Sequence, residues 1–356
     1  MDHIKVLKRA WHTLWSYRTL WILGIVLALT TASWESSVFY RDRGGEGDRV
    51  TRNMDLPEQI RREINELNEL FTEGIPPDVV SKIVAIGIGL ACLILFLYIV
   101  ARIARYVSET ALIRMVDEHE ETGETLSLRQ GIQMGWSRVA WRLFLIDLLI
   151  DVPAALVFIL LFLLAFAPLL LWTFGSTAGG LAGTVATIGL FFLGIFFLII
   201  VGAVLSLLKH FFRRACALDG LGVTGSIRRG YGVVRQNLKD VGLMWLIMAG
   251  VSLVWPILMI PIGLLLAGVG AVLGGGAALL VGGLARLILG GAAPVLLALV
   301  VGLPIFILVV AVPLAFLGGL REVFQSSTWT LTYRELRALE SLEAEPLPEL
   351  EAPDLA

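Results

Sequence analysis

Charge and cysteine are both scarce in this chain, and the two shortages exclude several classes of protein. Of its 356 residues, 16% are charged and 57% are hydrophobic, whereas a soluble domain carries about 25% charged residues. The chain therefore has too little charge to cover the surface of a soluble domain. Its formal net charge of −2 also gives no basic surface for nucleic acid, so we expect no nucleic-acid partner.

Recognisable catalytic and metal-binding motifs are missing as well. The two cysteines, Cys92 and Cys216, fall in a predicted span and a predicted cytosolic connector, which argues against a disulfide. His119 lies among glutamates in 118–121, and we interpret this cluster as a solvated turn rather than a metal site. The Gly-rich segments lack a Gly-Lys-Ser/Thr ending, and no Gly-x-Ser-x-Gly elbow occurs. We therefore expect no cofactor, no metal and no enzymatic activity.

Long apolar runs are what the chain has in abundance, and its mean hydropathy is +0.83. Apolar runs of about 20 residues predict membrane-spanning helices. We predict an all-α, polytopic helical membrane protein with about six transmembrane helices. The predicted spans cover about residues 19–34, 79–103, 143–172, 185–208 and 294–317, with another beginning near Val241. For the first span, a cleavable signal peptide is the alternative.

Short amphipathic segments precede three of these spans. The sequence Ser-Leu-Arg-Gln-Gly at 127–131 is nearly repeated as Ser-Ile-Arg-Arg-Gly at 226–230. In each segment, apolar residues recur at helical spacing and basic residues fill the opposite side. The apolar positions are Ile4, Leu7, Trp11 and Leu14, then Leu128, Ile132, Trp136 and Val139, then Ile227, Tyr231, Val234 and Leu238. These patterns predict amphipathic helices on the cytosolic membrane surface.

The repeated segments divide the chain into three units of one surface helix and two spans. The units cover about 4–125, 126–225 and 226–345, within a single helical membrane domain at 1–345. We predict three pseudo-repeated helix pairs related by rotation about the membrane normal. Chance similarity between short amphipathic segments is the alternative. The polar insert 35–80 is predicted to be an outer loop, and the Pro/Glu-rich tail 346–356 to be disordered.

Lys and Arg near the span ends predict the orientation. Basic residues concentrate before the first span and in the two connectors around 102–142 and 209–239. The short linker 173–184 carries no charge. We therefore predict a multi-pass protein of the prokaryotic plasma membrane with both termini in the cytoplasm.

A Gly/Ala/Leu tract, Gly263–Ala293, contains a single charged residue, Arg286. Three interpretations stay open for it: an extracellular hairpin, a re-entrant segment, or an extra pair of short spans. Its small residues predict close packing between helices, because they let two backbones approach each other.

Three stretches carry a resemblance to a known group of proteins. They are Leu7–Trp11, Arg214–Gly220 running into the segment at 226–230, and Ser327–Leu336. The chain resembles prokaryotic multi-pass proteins of unknown role, akin to the membrane domain that accompanies some glycerophosphoryl diester phosphodiesterases. The catalytic barrel of those enzymes is absent here. The resemblance implies a helical membrane domain tied to envelope or lipid functions.

Two aspartates in the third predicted span form a candidate polar site. Asp147 and Asp151 are four residues apart and therefore share one helix face. An ionised carboxylate facing lipid is unfavourable, so each should face the bundle interior, pair with a cation or stay protonated. One hypothesis is a site for a solute or proton. The other is a structural contact with a neighbouring helix, through Arg102, Arg105 or Lys209.

Four cations around the second repeated segment form a candidate lipid contact, which we name the basic cluster. Its members are Arg228, Arg229, Arg235 and Lys239. Such residues attract anionic headgroups, although they can also serve only to fix orientation. The most favoured function is a structural, regulatory or lipid-interacting membrane module whose partner is the bilayer, including anionic lipids. The alternative is a small-solute or lipid transporter with a site near Asp147 and Asp151.

Overall fold

The computed structural model describes residues 1–39, 77–174, 177–288, 290–291 and 293–344. The helices are α1 His3–Ser16, α2 Thr19–Phe39, α3 Pro77–Thr122, α4 Leu128–Gly135, α5 Arg138–Phe166, α6 Thr177–Leu218, α7 Val223–Gln236, α8 Leu238–Arg286 and α9 Ala293–Ala344, with a 3-10 helix Ala167–Phe174 after α5. No strand occurs in these ranges. Most of the predicted outer loop 35–80 and the predicted tail 346–356 lie outside the described residues.

Among the described residues, five helices are long and apolar enough to cross a membrane. They are Val84–Thr122, Arg138–Thr173, Thr177–Leu218, Leu238–Arg286 and Ala293–Ser341. A sixth span is obtained if α1 and α2, which are bent by 101° at their junction, are counted as one. The predicted class, an all-α polytopic helical membrane protein, is thereby confirmed.

The chain divides into two compact units. The first contains Met1–Ile25 and Tyr106–Ala356, and the second contains Val26–Arg105. The second unit includes most of α2 and the apolar first part of α3, whose side chains between 84 and 100 are exposed. This exposure suits a surface covered by lipid, because apolar side chains are more favourable against acyl chains than against water.

The core of the first unit lies at the ends of its long helices rather than along their apolar middles. Phe211 and Ala215 of α6 pack with Trp329 and Tyr333 of α9, and all four are buried. A second cluster joins the end of α3 to α5 and α6, and includes Ile113, Leu143, Ile146, Phe212 and Cys216. The three short helices α1, α4 and α7 cover these ends.

Most of the Gly/Ala/Leu tract, up to Arg286, forms the second half of α8, and its last residues lie in the turn to α9. The tract is therefore neither a re-entrant segment nor an extra pair of short spans, and only its end lies in a hairpin turn. Val241 and Met244, near the predicted start of the fifth span, are buried in the core of the first unit and do not face lipid. Further along, Gly274 packs against α9, where an added Cβ would lie 2.7 Å from the Gly302 carbonyl oxygen. The apolar part of α8 thus includes the tract, and the turn to α9 follows Arg286.

The short helices bury small residues together with part of the predicted stripes. The buried positions are Val6, Ala10, Thr13 and Leu14 in α1, Gly131 and Gly135 in α4, and Ser226, Gly230, Val233 and Val234 in α7. An added Cβ at Gly230 would lie 2.7 Å from Cδ1 of Phe212 and 3.0 Å from its backbone nitrogen. Meanwhile Trp11, Trp136 and Tyr231 of the predicted stripes are exposed. The small residues lie at the closest contacts because close helix packing favours residues without bulk.

A capping box lies at the start of α4. The Ser127 side chain accepts the backbone N–H of Gln130, and the Gln130 side chain accepts the backbone N–H of Ser127. The box satisfies two amide groups at the helix start that otherwise have no partner within the helix.

Candidate functional site

Asp147 lies in a buried charge cluster between α3, α5 and α6. The Arg213 guanidinium donates to both carboxylate oxygens of Asp147, at 2.8 Å and 2.7 Å. It also donates to Glu109 at 2.7 Å, and the Tyr106 hydroxyl donates to Asp147 at 3.0 Å. Charge-assisted bonds of this bidentate kind are strong and fix geometry. The charge of Asp147 is therefore paired with a cation on a neighbouring helix.

Asp151 lies one turn further along α5 in a different environment. Its side chain is 59% exposed and forms an ion pair with Lys209 of α6. The two pairs form a ladder, because Lys209 and Arg213 are four residues apart on α6, as the two aspartates are on α5. Lys209, one of the expected partners, contacts Asp151. Arg213, which pairs with Asp147, was not among the expected partners.

A second buried polar group lies beside this cluster and was not predicted. The Arg214 guanidinium donates to the backbone carbonyls of His210, at 2.8 Å, and Ser326, at 3.2 Å. The His210 ring stacks on Trp329 with centroids 5.0 Å apart. From the sequence alone, Arg213 and Arg214 contributed only to the prediction of orientation, as basic residues of the connector 209–239. The matching four-residue spacings on α5 and α6 were the signal that could have identified Arg213 as a partner of Asp147.

The basic cluster separates into three exposed cations and one paired cation. Arg228, Arg235 and Lys239 are exposed. Arg229 instead donates to Glu340 of α9 at 2.5 Å and lies 3.9 Å from an Asp219 carboxylate oxygen. Burial lowers the pKa of Arg229, but the carboxylates of Glu340 and Asp219 outweigh this and raise it. Arg229 therefore stays charged and joins α7 to α6 and α9.

Helix α1 presents a comparable surface. Its side chains Lys5, Lys8 and His12 are exposed, as are Trp11 and Trp15, at 55% and 48%. Arg9 points the other way and forms ion pairs with Glu335 of α9 and Glu120 of α3. A helix that combines exposed cations and exposed aromatic rings suits the boundary between headgroups and acyl chains.

The glutamates around His119 form no metal centre with it. His119 Nδ1 lies 2.9 Å from the Glu124 backbone oxygen, and its ring lies against Tyr17. Glu120 is engaged with Arg9. In the described ranges, no group of three or more His, Cys, Asp or Glu residues is arranged to hold a metal ion.

The fold and its exposed surfaces define a polytopic helical membrane protein with cations and aromatic rings on its short helices. The chain belongs to DUF7544, a family of unknown function whose model matches residues 7–323. No curated protein and no solved structure matches the chain.

Proposed function

We propose that this protein is a structural or regulatory membrane module that interacts with anionic lipids through the exposed cations of the basic cluster. In this proposal, it lies in the plasma membrane of a prokaryotic cell with both termini in the cytoplasm. The bilayer is its principal partner, and no chemical transformation is assigned to it. The resemblance to the membrane domain that accompanies some glycerophosphoryl diester phosphodiesterases supports a role connected with lipid.

One observation carries the proposal: α7 exposes cations and a large aromatic side chain together. Arg228 and Arg235 are seven residues apart, hence on one side of the helix, and Tyr231 between them is 51% exposed. Lys239 extends the exposed cations to the start of α8. Each cation near an anionic surface contributes about 1 kcal/mol. The three exposed members of the basic cluster therefore suit a surface of anionic headgroups.

The test is lipid binding by the purified full-length protein. Fluorescent phosphatidylglycerol or phosphatidylcholine is titrated into detergent-solubilised protein, with or without the triple substitution R228Q/R235Q/K239Q. We expect the triple variant to bind phosphatidylglycerol more weakly than the unchanged protein does, while its helix content and its affinity for phosphatidylcholine stay unchanged.

Two controls separate lipid contact from structure. The charge-retaining variant R228K/R235K/K239R should bind like the unchanged protein. R229Q removes the arginine that is paired internally, so it should leave lipid preference intact. If R228Q/R235Q/K239Q binds phosphatidylglycerol normally, the basic cluster serves only to fix orientation, and the proposal is wrong.

The exposure of Asp151 favours one other function, a small-solute or lipid transporter with a site near Asp147 and Asp151. The contact between Asp151 and Lys209 on an apolar helix pair is the kind of feature that transport sites use. Because Asp147 is paired with Arg213, its charge is not available to bind a solute.

The test of this alternative is D151N, which keeps the shape of the side chain and removes its charge. Normal solute or lipid flux in reconstituted vesicles would exclude Asp151 from a transport site.

A further inference from the structure

The three short helices share one local pattern. The near-repeat places Arg129 with Arg228, Gly131 with Gly230, and Ile132 with Tyr231. Helix α1 fits the same pattern with Lys8, Ala10 and Trp11. In each helix, a cation precedes a small residue by two positions, and a large apolar residue follows directly.

The small residue of each pattern faces inward. Ala10 is fully buried, and Gly131 and Gly230 are buried as well. An added Cβ at Gly131 would meet the sulfur of Met115 on α3, and one at Gly230 would meet Phe212 on α6. Each short helix is thereby seated closely on the end of a long helix, which fixes the direction of its outer side.

The cation and the large apolar residue of each pattern face outward together. Residues three apart lie on the same side of a helix. Lys8, Arg129 and Arg228 are exposed, and their apolar neighbours Trp11, Ile132 and Tyr231 are 55%, 42% and 51% exposed. The same combination therefore recurs on three separate helices.

Ion pairs hold two of these helices in comparable ways. Arg9 of α1 links Glu335 of α9 to Glu120 of α3. Arg229 of α7, at the equivalent position, lies near Asp219, which directly follows α6, and donates to Glu340 of α9. In both helices, the cation beside the small residue is used internally, and the cation one position earlier is left for an outside partner.

We propose that these three patterns form three equivalent contact points for anionic phospholipid headgroups. At each point, the cation binds a headgroup phosphate and the neighbouring apolar side chain lies among the acyl chains beneath it. An acidic protein segment would match the cations, but it would leave Trp11 and Tyr231 without an apolar environment. The inference rests on the proposed function and extends it from α7 to α1 and α4.

Native mass spectrometry of the full-length protein tests the three contact points by counting retained phosphatidylglycerol molecules against phosphatidylcholine. The variants are K8Q, R129Q and R228Q, singly and combined, with K8R, R129K and R228K as charge-retaining controls. We expect each single Gln variant to weaken phosphatidylglycerol retention about fivefold at one site. The combined Gln variant should show no preference for phosphatidylglycerol, and the controls should match the unchanged protein.

The double variant K8Q/R129Q separates this inference from the proposed function, because it leaves α7 untouched. Normal retention by K8Q/R129Q, together with a loss in R228Q, would overturn the three contact points and leave the α7 contact standing. Normal retention by all three Gln variants and by R228Q/R235Q/K239Q would overturn both. Equal losses in the Gln variants and their charge-retaining controls would also overturn the inference, because the effect would then not depend on charge.

Discussion

At the scale of single residues, Asp147 and Asp151 show how one turn of helix changes the role of a carboxylate. Asp147 is buried and shares Arg213 with Glu109, whereas Asp151 is exposed beside Lys209. Removing one partner of a buried pair leaves a charge without compensation, which is strongly destabilising. An exposed pair contributes little, because solvent or headgroups replace the lost partner.

The two aspartates should therefore respond differently to the same substitution. We expect D147N to lower stability by about 3 kcal/mol, and D151N to lower it by less than about 1 kcal/mol. The measurement is the apparent unfolding midpoint of the purified protein in one detergent, with D151N as the matched control. A smaller shift for D147N than for D151N would contradict the assignment of the buried pair.

The sequence predicted that the aspartates share a face, and that each should face the bundle interior, pair with a cation or stay protonated, because both statements follow from spacing and solvation. It did not predict Arg213 as the partner of Asp147. Which of several nearby cations meets a carboxylate depends on how two helices are aligned, and that alignment is set by packing along their whole length. For the same reason, the sequence did not separate paired Arg229 from exposed Arg228.

At the scale of helices, glycine has two roles in α8. Gly270, Gly274 and Gly282 contact α9, while Gly275 and Gly276 have open space where a Cβ would be. The prediction that small residues allow close packing is confirmed for the contacting positions. The tract continues α8 as one helix up to Arg286 rather than forming a re-entrant segment or an extra pair of short spans. In an apolar surrounding, backbone groups need partners within the chain, which favours a continuous helix.

Neighbouring glycines in α8 provide a matched test of this packing. Gly274→Ala places a methyl group against the backbone of α9, so we expect a loss of about 1–3 kcal/mol. Gly275→Ala meets nothing and should be neutral or stabilise the helix by up to about 1 kcal/mol. Thermal unfolding of the two variants in the same detergent measures the difference. Equal stability of G274A and G275A would show that α8 and α9 are not closely packed there.

At the scale of the whole molecule, the predicted orientation has both termini in the cytoplasm. The positions of the basic connectors support it, since Lys and Arg near span ends favour the cytoplasmic side. The structure changes one detail of the expected map, because only the last residues of the Gly-rich tract, among them Gly291, lie in the turn between α8 and α9.

Reporter fusions test the orientation directly. We expect fusions after Gly179 and Gly291 to report an external location, and fusions after Glu124 and Gly222 an internal one. Gly291 is the informative site, because it lies in the turn that joins two long apolar helices. An internal signal after Gly291, with the other three sites as expected, would show that α8 and α9 do not span the membrane as predicted.

Contact between the short helices and anionic headgroups is the central claim. Photo-crosslinking measures this contact directly, with phosphatidylglycerol that carries a diazirine in its headgroup and full-length protein in lipid nanodiscs. Mass-spectrometric mapping should find adducts on α1, α4 and α7, near Lys8, Arg129 and Arg228, and these adducts should decrease in the corresponding Gln variants. Adducts spread evenly over other exposed positions, and unchanged by those substitutions, would contradict the account.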